Sequence, residues 1–235
     1  MAGRIEGGIS PRLDPRADSP SSAAGQAADV PRVGDQMVHA LFGRQRPPVL
    51  DPDSHPILAA LIRMLNRYRK KLAVMAGDDS DDYVVVLADG TLAMIDELGT
   101  IYFGAGFLMQ CKDVPEILVG ALAHEIGHRP KRWVEYRVRK KLAPDDIHAL
   151  CRHEETRADI FAGIGLAELG MQCEPLCQFL LRFGQNPHPD YHPAEVRAAV
   201  IRDAHSSRAY RVQNRRKLFP EFDKAFSPKN DLGEY

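Results

Sequence analysis

The stretch Asp113-Val114-Pro115-Glu116-Ile117-Leu118-Val119-Gly120-Ala121-Leu122-Ala123-His124-Glu125-Ile126-Gly127-His128 decides the reading of the chain. From Ile117 to Ala123 it carries no charge, which describes a helix buried on all sides. Asp113 and Glu116 have the spacing of a capping box, and Pro115 fits a first helical turn. His124 and His128 are four apart, so both imidazoles rise from one face and reach a single metal at about 2 Å. Glu125 lies about 100° further round. It is close enough to act as general base toward a water on that metal without ligating it. His-Glu-x-x-His on an apolar helix spells zinc-assisted hydrolysis.

Two histidines do not complete a site, and a third ligand is expected in His153-Glu154-Glu155-Thr156-Arg157-Ala158-Asp159. Glu155 and Asp159 are also four apart and share a face of a second helix. Glu155 then ligates while Asp159 accepts a hydrogen bond from a ligand imidazole and fixes its tautomer. Glu154 is the rival ligand, but it has no acidic partner four residues on. His153 reads as a surface or supporting histidine. The site expected is one Zn2+ per chain, held by His124, His128 and Glu155.

This pair of motifs, His124-Glu-x-x-His128 followed by Glu155-x-x-Ala158-Asp159, resembles the gluzincin zinc peptidases. It is most similar to the HtpX-like and CAAX prenyl protease family. Gly99-Thr-Ile-Tyr-Phe-Gly-Ala-Gly-Phe-Leu108 resembles that family's edge strand ahead of the active-site helix. Asp190-Tyr191-His192-Pro193, with Arg197 after it, resembles its late His-Pro…Arg element, although His192 to Arg197 is one residue shorter than the family spacing. The resemblance spans roughly residues 57–203. It implies a zinc metalloendopeptidase in which Glu125 activates a zinc-bound water and Tyr191 or His192 stabilises the oxyanion. His188-Pro189 repeats the dipeptide in what reads as an open turn.

Around these motifs the chain reads as α+β: a mostly helical zincin-like domain with a small sheet whose edge strand precedes the His-Glu-x-x-His helix. A helix from His55 carries the stripe Ile57, Leu61, Met64 and Tyr68. Tyr83 to Leu87 is a β-branched run, Asp89-Gly90 signals a hairpin, and Leu92 to Ile95 reads as the returning strand. A third strand is expected at Gly99 to Phe103, along which a peptide substrate would lie. A helix is expected over Ala194 to Ala204. Residues 1–50 hold Pro-, Ser- and Ala-rich sequence without periodicity and read as a disordered arm, with the domain occupying 51–235.

The 31 Lys+Arg against 32 Asp+Glu give a formal net charge of −1, which excludes a protein whose main business is coating nucleic acid. No apolar run reaches the roughly 20 residues of a transmembrane helix. No secretory leader pattern is visible, and a cytoplasmic location is expected. Cys111, Cys151, Cys173 and Cys177 read as reduced, small apolar residues. Residues 131–142, Lys-Arg-Trp-Val-Glu-Tyr-Arg-Val-Arg-Lys-Lys-Leu, form a basic amphipathic segment. It reads as a solvated face, or as a contact for a membrane surface or an acidic partner. The partner expected at the zinc is a protein or peptide substrate. Other readings of the same motifs are a regulatory peptidase resembling the ImmA/IrrE group, an exported effector with residues 1–50 as leader, and a non-catalytic zinc scaffold. The presence of Glu125 speaks against the last.

Overall fold

The computed structural model describes Met37 and residues 46–130, 143–184, 186 and 188–218. The basic segment 131–142 lies outside the described residues, as does most of the N-terminal arm. Helix α1 (Pro56–Ala76) leads through a short 3-10 turn to β1 (Val84–Ala88), β2 (Ala93–Ile95) and β3 (Thr100–Gly104). Helices α2 (Ala105–Gln110), α3 (Pro115–His128), α4 (Pro144–Glu168), α5 (Glu174–Phe183) and α6 (Ala194–Leu218) follow. Over the described residues the chain is therefore α+β, mostly helical with one three-stranded sheet. Among the described residues no helix is long and apolar enough to cross a membrane.

The sheet order is β1-β3-β2, with β1 parallel and β2 antiparallel to β3. This corrects two expectations. The Asp89-Gly90 turn does not join paired strands, and the strand ahead of α3 is the middle of the sheet, leaving β2 as an edge. The tight reversal sits instead at Asp96–Gly99. There the Asp96 Oδ1 accepts the N–H groups of Leu98 and Thr100, both at 2.9 Å, and Gly99 takes φ +89. The link from β1 to β2 crosses the end of β3 at Gly104, where a Cβ would fall 1.7 Å from the Thr91 oxygen. Only a residue without a side chain lets that crossing happen.

Residues 46–50 also belong with the domain. The Leu50 N–H bonds the Leu87 oxygen at 2.9 Å, Val49 bridges Ala88, and Arg46 pairs with the buried Asp96 at 3.2 Å. Residues 46–50, expected in the arm, thus pack against the sheet.

Helix α3 runs through the core. Leu118, Val119, Leu122, Ala123 and Ile126 are fully buried against Leu65 and Leu72 of α1 and Leu166 of α4. The expected capping box does not form, because Pro115 takes the first helical position and makes Val114 the cap, without a side-chain bond. Arg129 ends the helix in the left-handed region at φ 49, and its guanidinium forks onto Asp78 at 2.9 and 3.0 Å. Helix α4 packs along both α3 and α6. The four cysteines are buried as free thiols. The helix expected to end at Ala204 continues to Leu218.

Candidate metal centre

Three helices converge on one point. Helix α3 brings His124, Glu125 and His128, α4 brings Glu155 and Asp159, and α6 brings Arg197. The approach of α3 to α4 rests on Gly127, where an added Cβ would stand 2.8 Å from the Ala158 Cα. His124 Nε2 lies 3.3 Å from Glu155 Oε2, and His128 Nε2 lies 3.4 Å from Glu155 Oε1. The donor atoms of these three residues fall within 4.8 Å of one another. Ligand atoms at about 2.0–2.1 Å round a tetrahedral ion are separated by about 3.3 Å. The two nitrogens and the carboxylate therefore fit a divalent metal in both donor type and spacing.

The groups behind the donors fix their orientation. His124 Nδ1 sits 3.0 Å from Asp159 Oδ1, which leaves Nε2 turned toward Glu155. Arg197 donates from Nε to Asp159 Oδ2 at 2.8 Å and from Nη2 to Oδ1 at 2.9 Å, and reaches Glu155 Oε2 at 3.3 Å. Such a bidentate pair sets geometry as well as charge. Burial alone would raise both carboxyls. The histidines and Arg197 outweigh it at Glu155, and the hydrogen bonds from Arg197 and His124 outweigh it at Asp159, which ends well below the usual range. Burial works to lower His124 too, but Glu155 and Asp159 carry it upward; at His128 burial prevails and the pKa falls.

Glu125 is buried beside this cluster and is not one of the three donors. Burial pushes its carboxyl up to about 7, against the pull of His124 and of a hydrogen bond from the Ile95 backbone. That places it where a general base works near neutral pH. The contact has a structural origin. Asp96 donates its N–H to Thr100 and Gly104 donates to Leu92, so in the antiparallel ladder Ala93 and Ile95 turn their main-chain groups to the outer edge.

A pocket of about 300 Å³ opens at the cluster, with His124, Glu125, Ala93, Tyr191 and Arg197 among its walls. Tyr191 lies 5.3 Å from the Arg197 guanidinium, ring centre to Cζ. Burial, with Glu155 and Glu125 adding to it, pushes the phenol upward and keeps it a proton donor. His192 lines an adjoining hollow with His188 and does not line the metal pocket. The loop holding Tyr191 is tied to α4, for His148 Nδ1 meets the buried Asp190 at 2.7 Å and Arg152 donates to the Pro189 oxygen.

Glu154, the rival ligand, is fully buried but turned away, pairing with Arg157 at 2.9 Å. His153 is exposed. The sequence motifs thus place His124, His128, Glu155, Glu125, Asp159 and Tyr191 together. Arg197, absent from the expected catalytic and ligand set, is the residue that braces Asp159. Its only sequence signal is its position after His192-Pro193. Comparison with protein-family models, with curated proteins and with solved structures finds no match, so the donor set and its geometry stand on their own.

Proposed function

We propose that this chain is a zinc metalloendopeptidase of the HtpX-like gluzincin kind. One observation carries the reading: a buried carboxylate, Glu125, faces the open pocket beside the His124–His128–Glu155 donors and is not one of them. A structural zinc site takes four protein ligands and needs no base, whereas a hydrolytic site keeps one position open. Two imidazoles and a carboxylate suit zinc by donor type.

His124, His128 and Glu155 would hold the ion, with Asp159 and Arg197 fixing their orientation. Bound zinc supplies a Lewis acid that acidifies water and polarises a carbonyl. Glu125 takes the proton from the attacking water and returns it to the leaving amine. The Tyr191 hydroxyl donates to the carbonyl oxygen as charge develops there. An extended peptide lies along the outer edge of β2, where Ala93 turns its main-chain groups outward beside the pocket. The edge used is β2, not the β3 segment expected from sequence.

Metal analysis and peptide digestion test this together. Wild type should hold one zinc and cut a mixed peptide pool. Glu125→Gln should keep the zinc and cut nothing, and His128→Ala should lose the metal. A wild-type protein that takes up no zinc, or a Glu125→Gln variant that cuts at the wild-type rate, overturns the assignment.

A further inference from the structure

The metal pocket has two unlike walls. The polar residues lining it, His124, Glu125, Asp159, Tyr191 and Arg197, all belong to the metal side. The opposite wall is apolar and comes chiefly from one face of α5, through Leu176, Phe179, Leu180 and Phe183. These positions recur at three- and four-residue spacing, so α5 turns a continuous stripe to the pocket.

The stripe is anchored to the core by a row of rings. Phe103 to Phe107 measures 6.2 Å between centroids, Phe107 to Phe179 5.4 Å, and Phe179 to Phe183 4.8 Å. Phe103 is fully buried, whereas Phe183 at the outer end remains 47 % exposed. An aromatic wall that begins in the core and ends open beside a hydrolytic centre has apolar surface waiting for a partner. The volume, about 300 Å³, is at the small end for ligand pockets and suits one side chain better than a whole small molecule.

The geometry points to a specificity pocket: the chain recognises substrates by a large apolar side chain, aromatic or leucine, adjoining the scissile bond and seated against Phe179, Leu180 and Phe183. This rests on the peptidase reading and names its substrate class. A peptide lying on β2 passes Ala93, which lines the same pocket, so its alternate side chains point toward α5. A charged side chain there would face apolar atoms with no partner, and glycine would leave the wall bare.

The test separates recognition from chemistry. Zinc-loaded Glu125→Gln, as full chain, is titrated with fluorescein-labelled peptide pools in which one central position is fixed as Phe, Leu, Gly, Asp or Lys. In parallel, wild type digests the unlabelled pools and mass spectrometry assigns the residues flanking each cut. Phe and Leu pools should bind at least about tenfold more tightly than Gly, Asp or Lys pools, and cuts should fall beside large apolar residues. Phe183→Asp, at an exposed helix end, should reduce that preference below about threefold while zinc stays at one equivalent; Leu180→Gln should act in the same direction. Equal binding of Phe and Gly pools, or cuts without an apolar neighbour, overturns the inference and leaves the peptidase reading standing. Selective binding of Phe pools with no cutting by wild type supports the pocket and removes the peptidase reading.

Discussion

Replacing Gly127 by alanine tests whether helix packing sets the metal geometry. A methyl there would stand 2.8 Å from the Ala158 Cα, 3.0 Å from the Phe161 Cβ and 3.2 Å from the Ala158 oxygen. Non-bonded carbons settle at about 3.5–4.0 Å, so α3 and α4 must part by roughly 0.7 Å or more. Two of the three blocking atoms are backbone, and no rotamer change relieves them. Gly127 directly precedes His128, and Ala158 lies one turn after Glu155, so the displacement passes straight to the donors. Their 3.3 and 3.4 Å separations would then leave the tolerance of about 0.2 Å that metal distances allow. Overpacking of this kind costs about 1–3 kcal/mol, or roughly 2–12 °C of melting temperature for a chain of this length. Zinc affinity should fall by about tenfold or more. Competition against a fluorescent chelator measures it, with Gly106→Ala as control, since a methyl there meets nothing within 4 Å. Gly165→Ala is a second comparison. Its methyl meets the Leu72 Cδ2 at 2.8 Å, the end of a side chain, and the Ala123 Cβ at 3.2 Å on α3, so its zinc affinity should fall between those of the other two variants. If Gly127→Ala binds zinc as tightly as Gly106→Ala, helix spacing does not set the site and the reasoning fails.

Asp159→Asn should lower zinc affinity by about 10–100-fold, because His124 loses its carboxylate partner and Arg197 its bidentate one; unchanged affinity in chelator competition would remove Asp159 from the site. Tyr191→Phe should keep zinc and lower kcat by roughly ten- to a hundredfold with KM little changed. His192→Ala, outside the metal pocket, should have the smaller effect on kcat, and the reverse ranking would reassign the two residues. Chelation should lower the melting temperature of wild type but not of His128→Ala. At zinc a thousandfold above Kd the linked stabilisation is about 4 kcal/mol, and a scan insensitive to chelator would show that the folded chain does not hold the ion.

The donors were legible because their signal is local. His124 with His128 and Glu155 with Asp159 each announce a shared helical face within five residues, and the buried helices supply it. Sheet order was not legible, since Asp89-Gly90 and Asp96-Glu97-Leu98-Gly99 both signal a turn. The choice is settled by the bonds that Asp96 accepts and by the crossing at Gly104, contacts that no spacing rule contains. The capping box failed for a local reason, as Pro115 claims the first helical position and shifts the cap to Val114. Leu176, Phe179, Leu180 and Phe183 form an apolar stripe along α5. That the stripe faces a metal pocket depends on where α5 docks, which is a tertiary fact. Arg197 could be found only by its distance from His192-Pro193, and its fork onto Asp159 appears once α6 lies along α4.

The arrangement of the site along the chain also orders its biogenesis. His124 and Glu155 are 155 − 124 = 31 residues apart, and Arg197 follows Glu155 by a further 197 − 155 = 42. A nascent chain that ends after α3 presents two imidazoles and no third donor. One that ends after α4 completes the donor set, yet still lacks Tyr191, the α5 wall and the Arg197 brace. Competence to hold the ion is therefore expected to precede competence to cut, and the second arrives only with the last described helix. If the chain is the peptidase proposed above, a newly made molecule should stay inert toward itself and its neighbours until α6 has folded. Ribosome-bound chains of increasing length would show zinc uptake first and hydrolysis later, and simultaneous onset would exclude this order.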